Sequence, residues 1–204
     1  MKYYRATPAS RIDNRVLPIT LEDFKTHLRI EHNDSDRYLL DKLQTATQQV
    51  EDYIGAPVIE REFKIVLSAW PTVATDGTVG IRVPNPPLVS VTSIVYRDTA
   101  DTEQTVDGAN YRIAQADDYP LIIPVNDNSW PDVLSVDDAI VITYVAGWAS
   151  KPSEVPGAIR EAVMVRAATR AAMTEEAGLG TVKWDISAGL SFAELLRPFQ
   201  RMRV

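Results

Sequence analysis

Apolar positions along this chain change their spacing twice, from helical to alternating and back to helical. In the first stretch Thr20-Leu21-Glu22-Asp23 resembles a capping box, with Asp where Glu is usual. Leu21, Phe24 and Leu28 follow at helical intervals and predict a helix to about Ile30. Asn33-Asp34-Ser35-Asp36 reads as a turn and cap cluster. Leu39, Leu43, Ala46, Val50 and Tyr53 then step by four and three, one apolar stripe on a helix to about Ile54. Gly55 stands where a left-handed C-cap belongs, and Pro57 prevents continuation.

From 58 to 146 the period is two. Phe63, Ile65 and Leu67 alternate with Glu62, Lys64 and Val66, and Ile140, Ile142 and Tyr144 with Val141, Thr143 and Val145. Further strands are predicted over 79–83, 88–97, 104–106, 111–114 and 120–123, with Pro, Gly, Asp and Asn between them. No helix intervenes, so an antiparallel β-sandwich or small barrel is expected, not a parallel βαβ sheet.

Pro152 and Pro156 introduce a third helix over about 155–174. It is apolar around most of its circumference and therefore wants burial on more than one side, the second side being a neighbouring subunit. Gly178-Leu179-Gly180 breaks the chain, and 181–190 reads as extended or loose. Ser191-Phe192-Ala193-Glu194 is a second capping box, opening a short helix that Pro198 should stop. The expected fold is α+β: a small helical bundle from 1–56 and 150–204, with an inserted β domain over 57–149.

Composition narrows the chemistry. The absence of cysteine excludes disulfides, thiolate metal sites and cysteine nucleophiles. The N-terminus lacks an apolar core of signal-peptide length, and no run reaches the ~18 apolar residues of a membrane span, so a soluble protein made in the cytoplasm is expected. Residues 1–55 carry 8 basic and 9 acidic side chains, 56–150 carry 5 and 13, and 151–204 carry 8 and 6. The acidic middle opposes nucleic-acid affinity there, whereas the basic end could serve an acidic partner.

His27 and His32 are five apart, not the four that places two ligands on one helical face. Asp34-x-Asp36 begins like a calcium loop, but Leu39 and Thr45 occupy the positions that need Gly and Glu. The other acidic clusters, Asp117/Asp118, Asn126-Asp127-Asn128 and Asp137/Asp138, read as caps and turns. With no nucleophile elbow and no phosphate-cradling loop, no catalytic residue, metal or cofactor is expected. Tryptophans at 70, 130, 148 and 184 include three at predicted strand ends, Trp70, Trp130 and Trp148. They seal a β core or, alternatively, form platforms for sugar or single-stranded nucleic acid. A hydrolase with dispersed carboxylates is a further alternative. Arg197, Arg201 and Arg203 beside Phe192, Leu195, Leu196 and Phe199 form either a docking peptide or a helix folded back on its own bundle.

Several phrases, in order, resemble head–tail connector (adaptor) proteins of long-tailed phages. They are Pro18-Ile19-Thr20-Leu21-Glu22-Asp23-Phe24-Lys25-Thr26-His27-Leu28-Arg29-Ile30 with Asp34 and Asp36, and Val50-Glu51-Asp52-Tyr53-Ile54-Gly55. Next come Val83-Pro84-Asn85-Pro86-Pro87-Leu88-Val89-Ser90-Val91-Thr92-Ser93-Ile94-Val95-Tyr96 and Tyr111-Arg112-Ile113. Ile142-Thr143-Tyr144-Val145-Ala146-Gly147-Trp148, Val155-Pro156-Gly157-Ala158-Ile159-Arg160-Glu161-Ala162 and Leu195-Leu196-Arg197-Pro198-Phe199-Gln200 complete the set. Val83 replaces the usual Leu, and 98–138 is a long departure.

The resemblance implies a non-enzymatic ring, commonly of about twelve copies, whose head-to-tail contacts close. Such a ring lies beneath the portal protein in the neck of a virion or gene transfer agent, assembled in the host cytoplasm. It extends the DNA channel without sequence-specific binding, touches no membrane, and receives the next tail or stopper component. Ile159, Val163, Arg166 and Arg170 are then the candidate subunit-interface residues. Phe192, Leu195, Leu196, Arg197, Phe199, Arg201 and Arg203 are the candidate portal-docking residues. The alternative is a β-sandwich carbohydrate-binding module of a particle surface.

Overall fold

The computed structural model describes residues 7–8, 16–71, 80–114, 120–125, 129–176 and 187–200. The chain is α+β and divides into two compact units. A helical unit is drawn from Asn14–Ile59 and Trp148–Val204, and a β unit from Glu60–Gly147 with an N-terminal strand.

In the helical unit, α1 (Leu21–Leu28) starts where the capping box places it, with the Asp23 amide donating to Thr20 Oγ1 at 3.1 Å. It stops two residues short of Ile30, because Arg29 turns left-handed (φ 59°) and its amide closes the helix. α2 (Asp36–Ile54) buries Leu39, Leu43, Ala46, Val50 and Ile54, and Gly55 caps it at φ 72°. Ser35 makes no side-chain cap. The Asp36 carboxylate instead receives the Lys25 ammonium at 2.7 Å, tying the start of α2 to α1. α2 also buries two polar residues that find partners locally. Thr47 Oγ1 donates to the Leu43 carbonyl at 2.8 Å, and Glu51 Oε1 accepts from the Val58 amide at 3.0 Å.

α3 (Gly157–Glu176) buries a stripe at Ile159, Val163, Ala167 and Ala171, flanked by Ala162. Small alanines let another helix approach closely, and this stripe joins Phe24, Leu39, Leu43 and Val50 in one core. Tyr38 Oη donates to the Ala171 carbonyl at 3.0 Å. α4 (Ser187–Leu196) runs into a 3-10 turn, Arg197–Phe199, at Pro198. Ser191 therefore lies inside α4 and not at its cap. No proline interrupts Ser187-Ala188-Gly189-Leu190, so nothing local forbids the extra turn. Gly178–Gly180 lies outside the described residues.

The β unit holds two antiparallel sheets, and neither closes into a barrel among the described residues. The larger has strands β1 (Thr7–Pro8), β2 (Arg61–Leu67), β4 (Leu88–Arg97), β5 (Glu103–Thr105) and β8 (Ile140–Ala146), in the order β1-β2-β8-β4-β5. The smaller is β3-β7-β6, from β3 (Ile81–Arg82), β6 (Tyr111–Ala114) and β7 (Leu121–Pro124). Register follows the alternation read from the sequence. Phe63 faces Tyr144, Ile65 faces Ile142 and Leu67 faces Ile140 across β2 and β8. The inward residues of both sheets, among them Phe63, Ile94, Ile122 and Ile142, form one core. Phe63 and Tyr144 stack at 5.6 Å. Gly80 is required by close approach, since a Cβ there would lie 2.7 Å from Ile123 Cγ2.

Candidate functional site

The residues singled out on α3 and α4 fall into two groups by burial. Ile159 and Val163 are 0 % exposed within the helical core. Their apolar surface is thus covered inside the chain, although the sequence pattern alone pointed to a neighbour. The buried stripe takes one face of α3; half-exposed Arg166 and Arg170 fall at helical spacing on that same side, toward α2, while half-exposed Val165 and Thr169 lie outside it.

Arg166 and Arg170 are one turn apart and converge on a single acceptor from α2. Arg166 Nε donates to Gln49 Oε1 at 2.8 Å, and Arg170 Nε donates to the same oxygen at 3.0 Å. The Arg166 guanidinium carbon lies 5.4 Å from the ring centre of Phe192 on α4, a cation–π contact. Gln49 was not anticipated from the sequence. The available signal was its place three residues after Ala46, at the margin of the α2 stripe.

The C-terminal segment packs onto its own unit. Leu196 is 0 % exposed and belongs to the helical core, with Phe192, Leu195 and Phe199 half-buried against it. Phe192 meets Tyr53 edge-on at 5.5 Å, and Phe199 meets Trp148 edge-on at 5.5 Å. Of the two readings of this segment, these apolar residues follow the folded-back one. Arg197 is exposed; Arg201 and Arg203 lie outside the described residues.

Other candidate chemistry is dispersed. His27 and His32 are both exposed, and His32 Nδ1 lies 3.8 Å from Asp34 Oδ2. No group of three metal-ligating side chains occurs among the described residues. No helix among them is long and apolar enough to cross a membrane. Asp137 and Asp138 occupy an exposed turn before β8, while Asp117, Asp118 and 126–128 lie outside the described residues.

In the β unit, Trp70 and Trp130 stack on each other at 4.6 Å with Tyr96 alongside, and Trp70 Nε1 donates to the Pro131 carbonyl at 2.7 Å. A shallow cleft lined by Tyr96, Asn110, Trp130 and Asp132 adjoins them. The stacking commits one face of each indole, which suits sealing a sheet end better than a free platform. Trp184 lies outside the described residues. Three groups among the described residues have shifted ionisation with clear causes; burial, with the nearby Asp107 carboxylate, raises the Tyr111 hydroxyl. Burial pushes the Tyr144 hydroxyl well above its ordinary range, and its Oη donates to the Pro84 carbonyl at 2.8 Å. Backbone donation from Thr102, helped by Gln104, holds the Asp98 carboxyl below the usual carboxylate value.

Comparison with known proteins places this arrangement. No curated protein matches the sequence significantly. The fold matches a chain from the neck of an empty GTA particle computed with C6 symmetry, at TM-score 0.74 and 21% identity, covering 98% of this chain and 97% of that one. It also matches a chain from the virion of a native gene transfer agent particle, at TM-score 0.72 and 22% identity, covering 98% and 96%. A chain from the native GTA neck computed with C12 symmetry matches at TM-score 0.69 and 21% identity, covering 98% and 97%. At these identities the likeness concerns the fold. The family model for phage gp6-like head-tail connector proteins matches residues 18–113, from the start of α1 into β6. Over that segment, which carries α1, α2 and strands β2 to β5, the chain is similar to phage gp6-like head-tail connector proteins.

Proposed function

We propose that this chain is a structural adaptor in the neck of a gene transfer agent or phage-like particle. Twelve copies close into a ring beneath the portal, extend the DNA channel, and present a platform to the next tail component. The observation that carries the reading is the family match joined to a fold shared over nearly the full length with chains of GTA particles. One of those necks was computed with C12 symmetry, which suits twelve head-to-tail copies.

The ring contact uses the side of α3 that carries the half-exposed Arg166 and Arg170, where they lie beside α2 and α4. Ile159 and Val163 support that face from beneath by fixing α3 against α2. At the C-terminus, Phe192, Leu195, Leu196 and Phe199 anchor the segment to the helical unit, and Arg197, Arg201 and Arg203 supply the charge that meets the portal. A chain of net charge −7 neutralises few phosphates, so DNA slides past without sticking. The adaptor has no turnover of its own. Electron microscopy of the particle neck tests the proposal: density for this chain belongs between capsid and tail, and its absence there overturns the assignment.

A further inference from the structure

We infer that the Arg166 guanidinium receives an acidic side chain from the β unit of the next copy in the ring. The inference rests on the ring reading above and names the chemistry of its contact.

Three observations lead to it. The first is the geometry of the arginines. Gln49 Oε1 accepts from Arg166 Nε and Arg170 Nε, so a neutral oxygen orients the Arg166 side chain without neutralising it. The Phe192 ring covers Arg166 from α4. With Nε engaged and the plane fixed, the terminal nitrogens of Arg166 present a pre-oriented fork that matches a carboxylate.

The second is the state of that charge. Arg166 is only half exposed, and no carboxylate is paired with it among the described residues. A cation partly withdrawn from water is held better once an anion is delivered to it. The argument needs Arg166 alone, and Arg170 enters only through the shared acceptor.

The third is the distribution of acid. Residues 60–147 carry 13 acidic and 5 basic side chains. Asp107, Asp132, Asp137 and Asp138 are exposed there. A ring built from head-to-tail contacts needs two different, complementary surfaces on every copy. Arg166 lies in the helical unit and the acidic excess in the β unit, so one chain carries both halves of such a contact. A DNA phosphate could also engage an arginine fork, but the acidic excess of the chain opposes DNA approach.

The test uses assembled particles carrying Arg166→Lys, treated with a carbodiimide that joins carboxylates to amines without a spacer. Guanidinium does not couple, so the parent supplies the blank. The expected product is a species of doubled chain mass in which the amine introduced at 166 is bonded to an Asp or Glu from 60–147. The link should persist in nuclease-emptied particles. Coupling only to the portal, coupling only within one chain, or dependence on DNA overturns the inference. So does the absence of a product at 166 while other lysines join copies. If no two copies are joined anywhere, the ring reading itself fails, a different outcome. Where Arg166→Lys does not enter particles, Arg166→Gln gives a second readout. It should fold as the parent does by circular dichroism, yet lower neck occupancy at least about threefold, with raised salt reproducing the loss in the parent. Parental occupancy in that variant also overturns the inference.

Discussion

Replacing Ile159 by alanine should unfold the helical unit at a much lower temperature. Ile159 is 0 % exposed and packs in the core that holds Phe24, Leu43, Val50 and Val163. The substitution deletes three side-chain carbons from a site whose walls are helices fixed by other contacts, so the cavity only partly collapses. Such deletions cost about 2–5 kcal/mol. For a unit of roughly 100 residues that corresponds to a fall of roughly 10–30 °C in melting temperature. Arg166→Ala, half exposed and losing one side-chain hydrogen bond, should cost only about 1 kcal/mol. Thermal melts followed by far-ultraviolet circular dichroism on the purified chain would compare the two. The reasoning fails if Ile159→Ala melts with the parent and loses only the ability to join particles. That result would mean the side chain faces a neighbour, as the all-round apolar pattern of α3 first suggested.

Two further outcomes follow from the geometry. Tyr144 keeps its proton in the fold well beyond the ordinary tyrosine range, so its contribution is fully present below about pH 10, where the unfolded chain releases that proton, and is lost as pH rises further. Tyr144→Phe should therefore be about 1 kcal/mol less stable at neutral pH and lose stability less steeply above pH ~10; parallel urea curves for the two proteins contradict this. Truncation after Gln200 should leave the melting of the helical unit unchanged and weaken pull-down by the portal at least about tenfold, as expected when two basic contacts are lost. Undiminished capture would remove the C-terminal docking role.

Much of the fold was legible because its signals are local. The Thr20 cap, the α2 stripe ending at Gly55, and the alternation of Phe63-Ile65-Leu67 against Ile140-Ile142-Tyr144 need only neighbours in sequence. β1 was missed because a two-residue edge strand has no periodicity, and Pro8 is tolerated there only because it lies at the edge. α4 starts earlier than its capping box because a cap motif permits a helix start without compelling one. The candidate site was less legible. Composition showed that α3 is apolar on most sides but could not divide the faces between the chain's own core and a neighbour. That division depends on α2, and on alanines at 162, 167 and 171 that let it close in. Likewise, Arg166 and Arg170 were visible as cations one turn apart, while Gln49, more than a hundred residues away, was not.

The most direct measurement of the central claim is a reconstruction of the neck of a particle that carries this chain. The account predicts a closed ring of twelve copies between portal and tail, each fitted by the helical and β units, with Arg166 of one copy beside the β unit of the next. A neck in which this polypeptide is absent, or a single copy seated elsewhere on the particle, would contradict it.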